Sequence, residues 1–495
     1  LGRCGGLFYQ PQMVAGQTYR GYRYRYVKMI DFKHPQYIKN IGKWDLVNDI
    51  CDADNLKKYL VQLNPRDVSV ENVERNSQFF KRSVFAAVAG YTSRGFVGKA
   101  FAKAPMLSVP DEIEYIKKDI NGAGSSIYQQ SQEVMRDVIR IGRCGLLVDF
   151  PTTEGEVSRA DIISKNIFAT VTRFDARAII NWQTKRVGSK VMPTLVVLTS
   201  TVSEPKEDGY EFETKDIWIE LAIEEGLYVQ REWRLDNHNE FYVHNETVPR
   251  DGAGKPLDYI PFVFIGSETN TTTVNHPPMY DLAKINLGHY NNSAIYEDSV
   301  FTVGQVQPWM SGLNQETIDL MQSNNMYIGS GRLIGVPSGE KFGFEQAGPN
   351  MLAREAMMDK VEMMIGLGAM FMKTGGAAMT ATQISGELMA QHSVLSLIAH
   401  NVSEAYDIAL EMAGQFMDVS GEPEYDYDIN QDFIDPEADA QMLNAVVASF
   451  LQGVLPISDL FAWQKKHGLI SAEKELEDYQ EEIGTQGGMI DLEAE

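Results

Sequence analysis

Few of the residue types that carry out chemistry stand at spacings that chemistry uses. The eight histidines (His34, His238, His244, His276, His289, His392, His400 and His467) form no HExxH pair, and His392 and His400, eight apart on one helical stretch, are too distant to share a metal ion. "GYTSRGF" (90–96) has two glycines of a phosphate-binding loop but Phe96 where lysine is required, and "GSGRLIG" (329–335) misses GxGxxG by one residue. No GxSxG or CxxC is present. Glu424, Asp426 and Asp428 offer oxygens to Ca²⁺, yet "YDYDINQD" lacks the glycine and terminal glutamate of an EF-hand loop, so a solvated acidic edge is the simpler reading. The acids of "DNHNE" (236–240) are the one opening for an enzyme, a hydrolase of unfamiliar type using paired carboxylates. The expectation is a protein without catalytic residues, metal or cofactor.

Composition narrows the class. Hydrophobic residues make up 44% and charged residues 23% of 495, as in folded proteins of two to four domains. Three scattered cysteines (Cys4, Cys51, Cys144) argue for a reducing compartment rather than a disulfide framework. No apolar run reaches the length of a membrane span, and no signal peptide is expected. The sequence begins at Leu1 rather than methionine, so a start further upstream is expected. Net charge is −24, unevenly spread: residues 1–110 carry 17 Lys/Arg against 8 Asp/Glu, whereas residues 421–495 carry 3 against 18. So acidic a chain does not grip nucleic acid through general phosphate neutralisation. Not sticking to DNA is a different property, and acidity supports it.

Periodicity supplies the elements. "NSQFFKRSVFAAVAGYTSRGFVGKAFAKAP" (76–105) reads as one helix, with Phe80, Val84, Val88 and Tyr91 at helical spacing and Pro105 as its stop. "DEIEYIKKDIN" is a short amphipathic helix. "SSIYQQSQEVMRDVIRIG" (125–142) is another, with Ile127, Val134, Val138 and Ile141 on one side and Gly142 at its end. "CGLLVDF" is a buried strand. From 167 to 265, alternating runs such as "TLVVLTSTV", "DIWIELAI" and "LYVQREWRL" predict an antiparallel β domain, a barrel or sandwich. Helix returns at 277–301. A compact mixed segment follows over 302–347, short strands around one helix.

The strongest signal lies in 350–418. "NMLAREAMMDKVEMMIGLGAMFMK" predicts a helix of about 23 residues, its other residues helix-favouring despite Gly366 and Gly368. After "TGGAAM", Thr380 and Gln383 suit an N-cap and its reciprocal partner. The next helix keeps Ile384, Leu388, Leu395, Ile398, Val402, Ala405, Ala409, Met412 and Phe416 in steps of three and four. Its roughly 36 residues extend about 54 Å at about 1.5 Å each. A narrow apolar seam on so long a helix predicts a coiled-coil or bundle partner, and the helix just upstream can supply it.

This order of parts resembles the portal proteins of tailed bacteriophages. "GFVGKAFAKAPMLSVPDEIEYI" with "IGRCGLLVDFP" is similar to the amino-terminal part of one portal subfamily. "IPFVFIGS" leading into "YDLAKINLGHYNNSAIYED" is similar to the approach to the first stem helix, and "MTATQISGELM" resembles the start of the long helix after the tunnel loop. The match runs from about 70 to 470. The resemblance implies an α+β fold: wing over 1–275, first stem helix 277–300, clip 301–347, second stem helix 348–373, tunnel loop 374–380, long wing/crown helix 381–418, and an acidic helical crown 419–495.

The resemblance further implies a homo-oligomeric ring, usually of twelve subunits, at one capsid vertex of a virion assembled in the host cytoplasm. Double-stranded DNA passes through it. Its partners are the terminase large subunit, the head–tail adaptor, and the major capsid and scaffolding proteins; no membrane is involved. In this frame Lys373, Thr374, Gly375, Gly376, Ala377 and Ala378 form the tunnel loop, with Gly375 and Gly376 allowing the chain to reverse. Glu355, Asp359, Glu362 and Glu387 are candidates to line the channel. Met357, Met358, Met363 and Met364 are candidates to pack neighbouring stems, since methionine fills irregular gaps and tolerates small shifts. The alternatives are another phage head–tail structural protein, or the hydrolase above.

Overall fold

A computed structural model of the protein describes residues 30–151, 167–206, 209–304, 307–311, 341–345, 351–369, 381–421 and 423–431, with a few isolated positions beyond them. The tunnel-loop residues 373–378, the capping pair Thr380 and Gln383, and the side chain of Glu387 lie outside the described residues, as does nearly all of 432–495.

The amino-terminal part is helical. Helix α1 (Pro35–Asp52) buries Trp44, Val47 and Ile50. The stretch that sequence predicts as one helix over 76–105 is two, α2 (Val70–Arg82) and α3 (Val88–Ala100). The chain leaves helical geometry at Ser83 (φ −64°, ψ 138°). Helical spacing misleads here because Val84 and Tyr91 do not share a buried face; both are exposed. A three-residue strand β1 (Met106–Ser108) and a 3₁₀ turn (Asp111–Lys117) lead to α4 (Ile127–Ile141). Helix α4 opens on a reciprocal Ser126–Gln129 capping box and, as its sequence predicts, closes on Gly142 at φ 73°.

Strand β2 (Arg143–Asp149) is the buried strand expected from "CGLLVDF", and it organises the β structure. It is the middle strand of a three-stranded antiparallel sheet, between β3 (Thr170–Asp175) and β9 (Phe262–Gly266). The remaining strands, β4 (Ile179–Val187), β5 (Lys190–Pro205), β6 (Phe212–Glu224), β7 (Leu227–Leu235) and β8 (Phe241–Thr247), form an antiparallel meander in sequence order. The meander is an open sheet, not a barrel. The run 167–265 is therefore not self-contained: its first and last strands pair with a strand that precedes it. The turn "DNHNE", the opening for an enzyme, is the β7–β8 connection, where Asp236 accepts the backbone N–H groups of His238 and Glu240. Its carboxylate is engaged in shaping a turn.

Helix α5 (Tyr280–Val303) follows, then a hairpin pairing β10 (Gln307–Ser311) with β11 (Lys341–Glu345) in antiparallel register. Helix α6 (Met351–Met364) is shorter than the 23 residues expected. It passes into a π turn (Ile365–Ala369) in which Gly368 adopts φ 109°, ψ 4°, so the glycines that sequence treats as tolerated helix residues end the α-helix.

The long helix α7 (Ala381–Phe416) has its expected 36 residues. Its second half differs from a coiled-coil seam. Leu395, Ile398, Ala399, Val402, Ala405, Tyr406, Ala409, Leu410, Ala413 and Phe416 are all buried, a face too wide for one partner helix. They pack on α4, β2, β3 and β9, and join the central core cluster. A final strand, β12 (Asp426–Asp428), pairs with β1 and is tied to α7: Asp407 accepts the N–H of Tyr427, and Ser403 that of Ile429.

These junctions should respond to pH and to substitution. Desolvation, with Asp426, Asp428 and Glu404 nearby, pushes the Asp407 carboxyl from 3.8 up to about 6, against the opposing hydrogen bond from Tyr427. The folded state therefore binds a proton more readily than the unfolded chain, and relief of the ionised-carboxylate penalty begins as pH falls through about 6 and is complete below 3.8. Relative to Asp407→Asn, the wild-type thermal midpoint should rise as pH is lowered through that window. At π-turn positions, Gly368→Ala should lose about 1–3 kcal/mol because an L side chain resists positive φ. Gly366→Ala, where added bulk meets open space, should not lose stability; unfolding midpoints compare the two.

Candidate assembly interface

The α5–α6 hairpin is built in two halves with different surroundings. The first half of α5 is locked into the molecule by polar side chains that hold the α2–α3 linker. Asn286, fully buried, accepts the N–H of Ala89 (3.0 Å) and donates to the carbonyl of Ala86 (2.8 Å). Ser293 donates to the Val84 carbonyl (2.8 Å), and Tyr290 and Ser83 share a hydroxyl hydrogen bond (2.9 Å). Nearby, Arg82 pairs with Asp298 at 2.6 Å and lies 4.4 Å over the Phe301 ring. These bonds hold the break between α2 and α3. Those from Asn286 and Ser293 satisfy backbone groups of a linker that has no regular secondary structure of its own to pair them.

Beyond Ala294 the chain offers its apolar residues little cover. Ile295, Val300 and Phe301 on α5, Trp309 and Phe344 on the β10–β11 hairpin, and Met351, Leu352, Met358, Val361 and Met363 on α6 are exposed, Leu352 to 76%. Helix α6 runs antiparallel to α5: Lys360 lies over Gly288, while Leu367 and Gly366 share a cleft with Met279 and Leu282. On α6 only Ala353 and Met364 are buried.

The sequence-predicted residues divide accordingly. Of the four packing methionines, Met364 is buried against its own chain, Met357 is half-buried, and Met358 and Met363 are exposed. Glu355, Asp359 and Glu362 are all exposed. Their spacing of four and three puts them on one strip of the helix. That strip is flanked on one side by Met351, Met358 and Val361, and on the other by Leu352 and Met363. Sequence reading missed Ile295, Val300, Phe301, Leu352 and Val361. For Ile295, Phe301, Leu352 and Val361 the available signal was that they fall off the face set by the buried Leu282, Asn286, His289 and Ser293 of α5 or by Ala353 and Met364 of α6; Val300, seven residues after Ser293, continues the buried face of α5 and its spacing carries no such signal.

An apolar cleft of about 370 Å³ lies where α3, α4, the start of α5, the π turn and α7 meet, bordered by Phe96, Ile139, Leu282, Leu367 and Ile398. Asp281 is its one carboxylate among the described residues. Among these residues no group of three or more His, Cys, Asp or Glu side chains is placed to hold a metal ion. No helix among them is long and apolar enough to cross a membrane.

A family model described as a domain of unknown function (DUF4055) matches residues 278–417, the span from the start of α5 to the end of α7. No curated protein matches the chain. Among solved structures, a chain in the virion of a native gene transfer agent particle is 11% identical, with a TM-score of 0.40 over 77% of this chain and 90% of its own. A chain in the neck of an empty particle of that kind, computed with sixfold symmetry, is 13% identical, with a TM-score of 0.38 over 77% of this chain and 93% of its own.

Proposed function

We propose that this chain is the subunit of a closed ring at one vertex of a phage-type capsid, a portal through which duplex DNA is packaged and later released. The observation that carries the reading is the α5–α6 hairpin, whose outer half leaves a set of large apolar side chains uncovered by the other described residues. Large exposed apolar patches mark contact surfaces. On α6 the apolar groups stand on both sides of an acidic strip, which suits a helix with one neighbour on each flank and a third face turned to a lumen. In that arrangement Met358 and Val361 meet one neighbouring subunit, Leu352 and Met363 the other, and Glu355, Asp359 and Glu362 face the DNA. Carboxylates there repel a duplex that carries one charge per about 1.7 Å of axis, so it slides instead of binding.

The rest of the chain takes its place around that hairpin. Residues 1–275 form the wing, 277–300 and 348–373 the stem, 301–347 the clip, 374–380 the tunnel loop, 381–418 the long helix and 419–495 the crown. Pairing of β10 with β11 supports a compact clip, since it brings the two ends of that segment together at the tip of the stem. The clip is then the docking point for the terminase motor and, later, for the tail adaptor. ATP hydrolysis belongs to the motor.

Mass photometry tests the reading. Purified protein should give a discrete species near twelve times the 55.5 kDa subunit. Met358→Glu with Val361→Glu, both at exposed positions, should leave a folded monomer. A wild-type protein that stays at 55.5 kDa under all assembly conditions would remove the ring from consideration.

A further inference from the structure

We infer that helix α3 and the residues beside it form a phosphate-backbone contact for duplex DNA, an inference that rests on the conduit reading. Residues 75–110 contain six cations (Arg75, Lys81, Arg82, Arg94, Lys99 and Lys103) and not one Asp or Glu. The chain as a whole has 68 acidic residues in 495, so a stretch of this length would carry about five at the mean frequency. An acid-free segment of 36 residues in a protein of net charge −24 is therefore a local inversion of the whole molecule's field.

The structure keeps that inversion at the surface. Arg75 and Arg82 are turned toward Asp298 of α5. Lys81, Arg94 and Lys103 are exposed and make no ion pair with any described residue. Along α3, Tyr91, Arg94 and Gly98 are exposed at spacings of three and four, which places a cation and an aromatic hydroxyl on one face around a position with no side chain. Nothing stands within 4 Å of where a Cβ on Gly98 would be, so the helix backbone there is open to a large partner. The acids Asp426 and Asp428 of β12 pair along β1, at the far end of the segment beyond Lys103.

Position favours DNA as the partner. Helix α3 packs against the π turn that ends α6, and Phe96 shares the apolar cleft with Gly366 and Leu367. Arg94 on α3 therefore stands at the level of the π turn, past the acidic strip of α6, whereas Lys81, next to Arg82 and its partner Asp298, lies alongside the start of that strip. Repulsion along α6 and attraction at α3 together hold a duplex at one level and free it along the rest.

The test is fluorescence anisotropy of a labelled duplex of about 30 base pairs on assembled rings, titrated between about 50 and 200 mM salt. Arg94→Ala with Lys103→Ala should weaken binding several-fold and lower the slope of log K against log salt by about two, at about 0.9 for each phosphate no longer neutralised. Arg94→Glu with Lys103→Glu is the second variant and should act in the same direction and further. Lys185→Ala with Lys190→Ala removes equally exposed cations from the β4–β5 hairpin and should change neither quantity. Unchanged slopes in the α3 variants, equal weakening by the hairpin control, or no binding by wild-type rings at the lowest salt would overturn the site. Mass photometry of every sample separates the outcomes: intact rings that ignore the α3 substitutions sink this contact alone, whereas monomeric wild type sinks the ring and the contact with it.

Discussion

The burial of the second half of α7 is the interaction on which the rest of the structure depends. Ten side chains between Leu395 and Phe416 are enclosed by α4 and by the β2-centred sheet. Fully burying a large aliphatic side chain is worth about 1.5–3 kcal/mol, so this contact fixes the helix to the body of the molecule. It is also held by specific polar bonds. Asn270 donates to the Asn401 carbonyl and to Glu404, Asn401 donates to the Gly266 carbonyl, and Tyr406 donates to Gln130. With that end immovable, the loop 267–279 and the start of α5 are set beside it.

From this anchor the α5–α6 hairpin projects. Its near half repeats the logic of the core, with Asn286, Ser293 and Tyr290 directing their hydrogen bonds to the α2–α3 linker. Its far half reverses that logic. Polar residues that would solvate a free helix are replaced by Phe301, Leu352, Met358 and Val361. A single subunit gains nothing from such a surface and risks aggregation. Neighbouring copies would remove it from water. The contrast between the two halves is one of burial: the near half is covered by its own chain, and the far half is not.

How much of this is legible in the sequence depends on which neighbour each residue answers to. Helix α4 is readable throughout because Ser126, Gln129 and Gly142 are local signals, each acting within four residues. The break between α2 and α3 is not, since Ser83–Ala87 is extended only because side chains some 200 residues away bind its backbone. The wide buried face of α7 is half legible. Its steps of three and four are visible, but Ala399, Tyr406 and Ala413, which widen the seam, read as filler until β2 and β9 cover them. The end of α6 at Gly368 is hard to read because glycine's cost in a helix, about 1 kcal/mol, looks tolerable beside a strong helix-forming context.

The candidate interface is legible in kind and not in extent. A methionine-rich helix announces contact, yet Met364 serves the chain's own interior and the exposed surface falls partly to Leu352 and Val361. One sequence cannot divide those roles, because burial is a property of what stands opposite. The same point governs charge. Glu355, Asp359 and Glu362 and the cations of 75–110 are equally visible as letters, but their meaning comes from their surroundings: the acids are unshielded on one strip of α6, and Lys81, Arg94 and Lys103 make no ion pair among the described residues. Under the proposed reading, a polyanion that moves along one surface and is steadied at another would account for both.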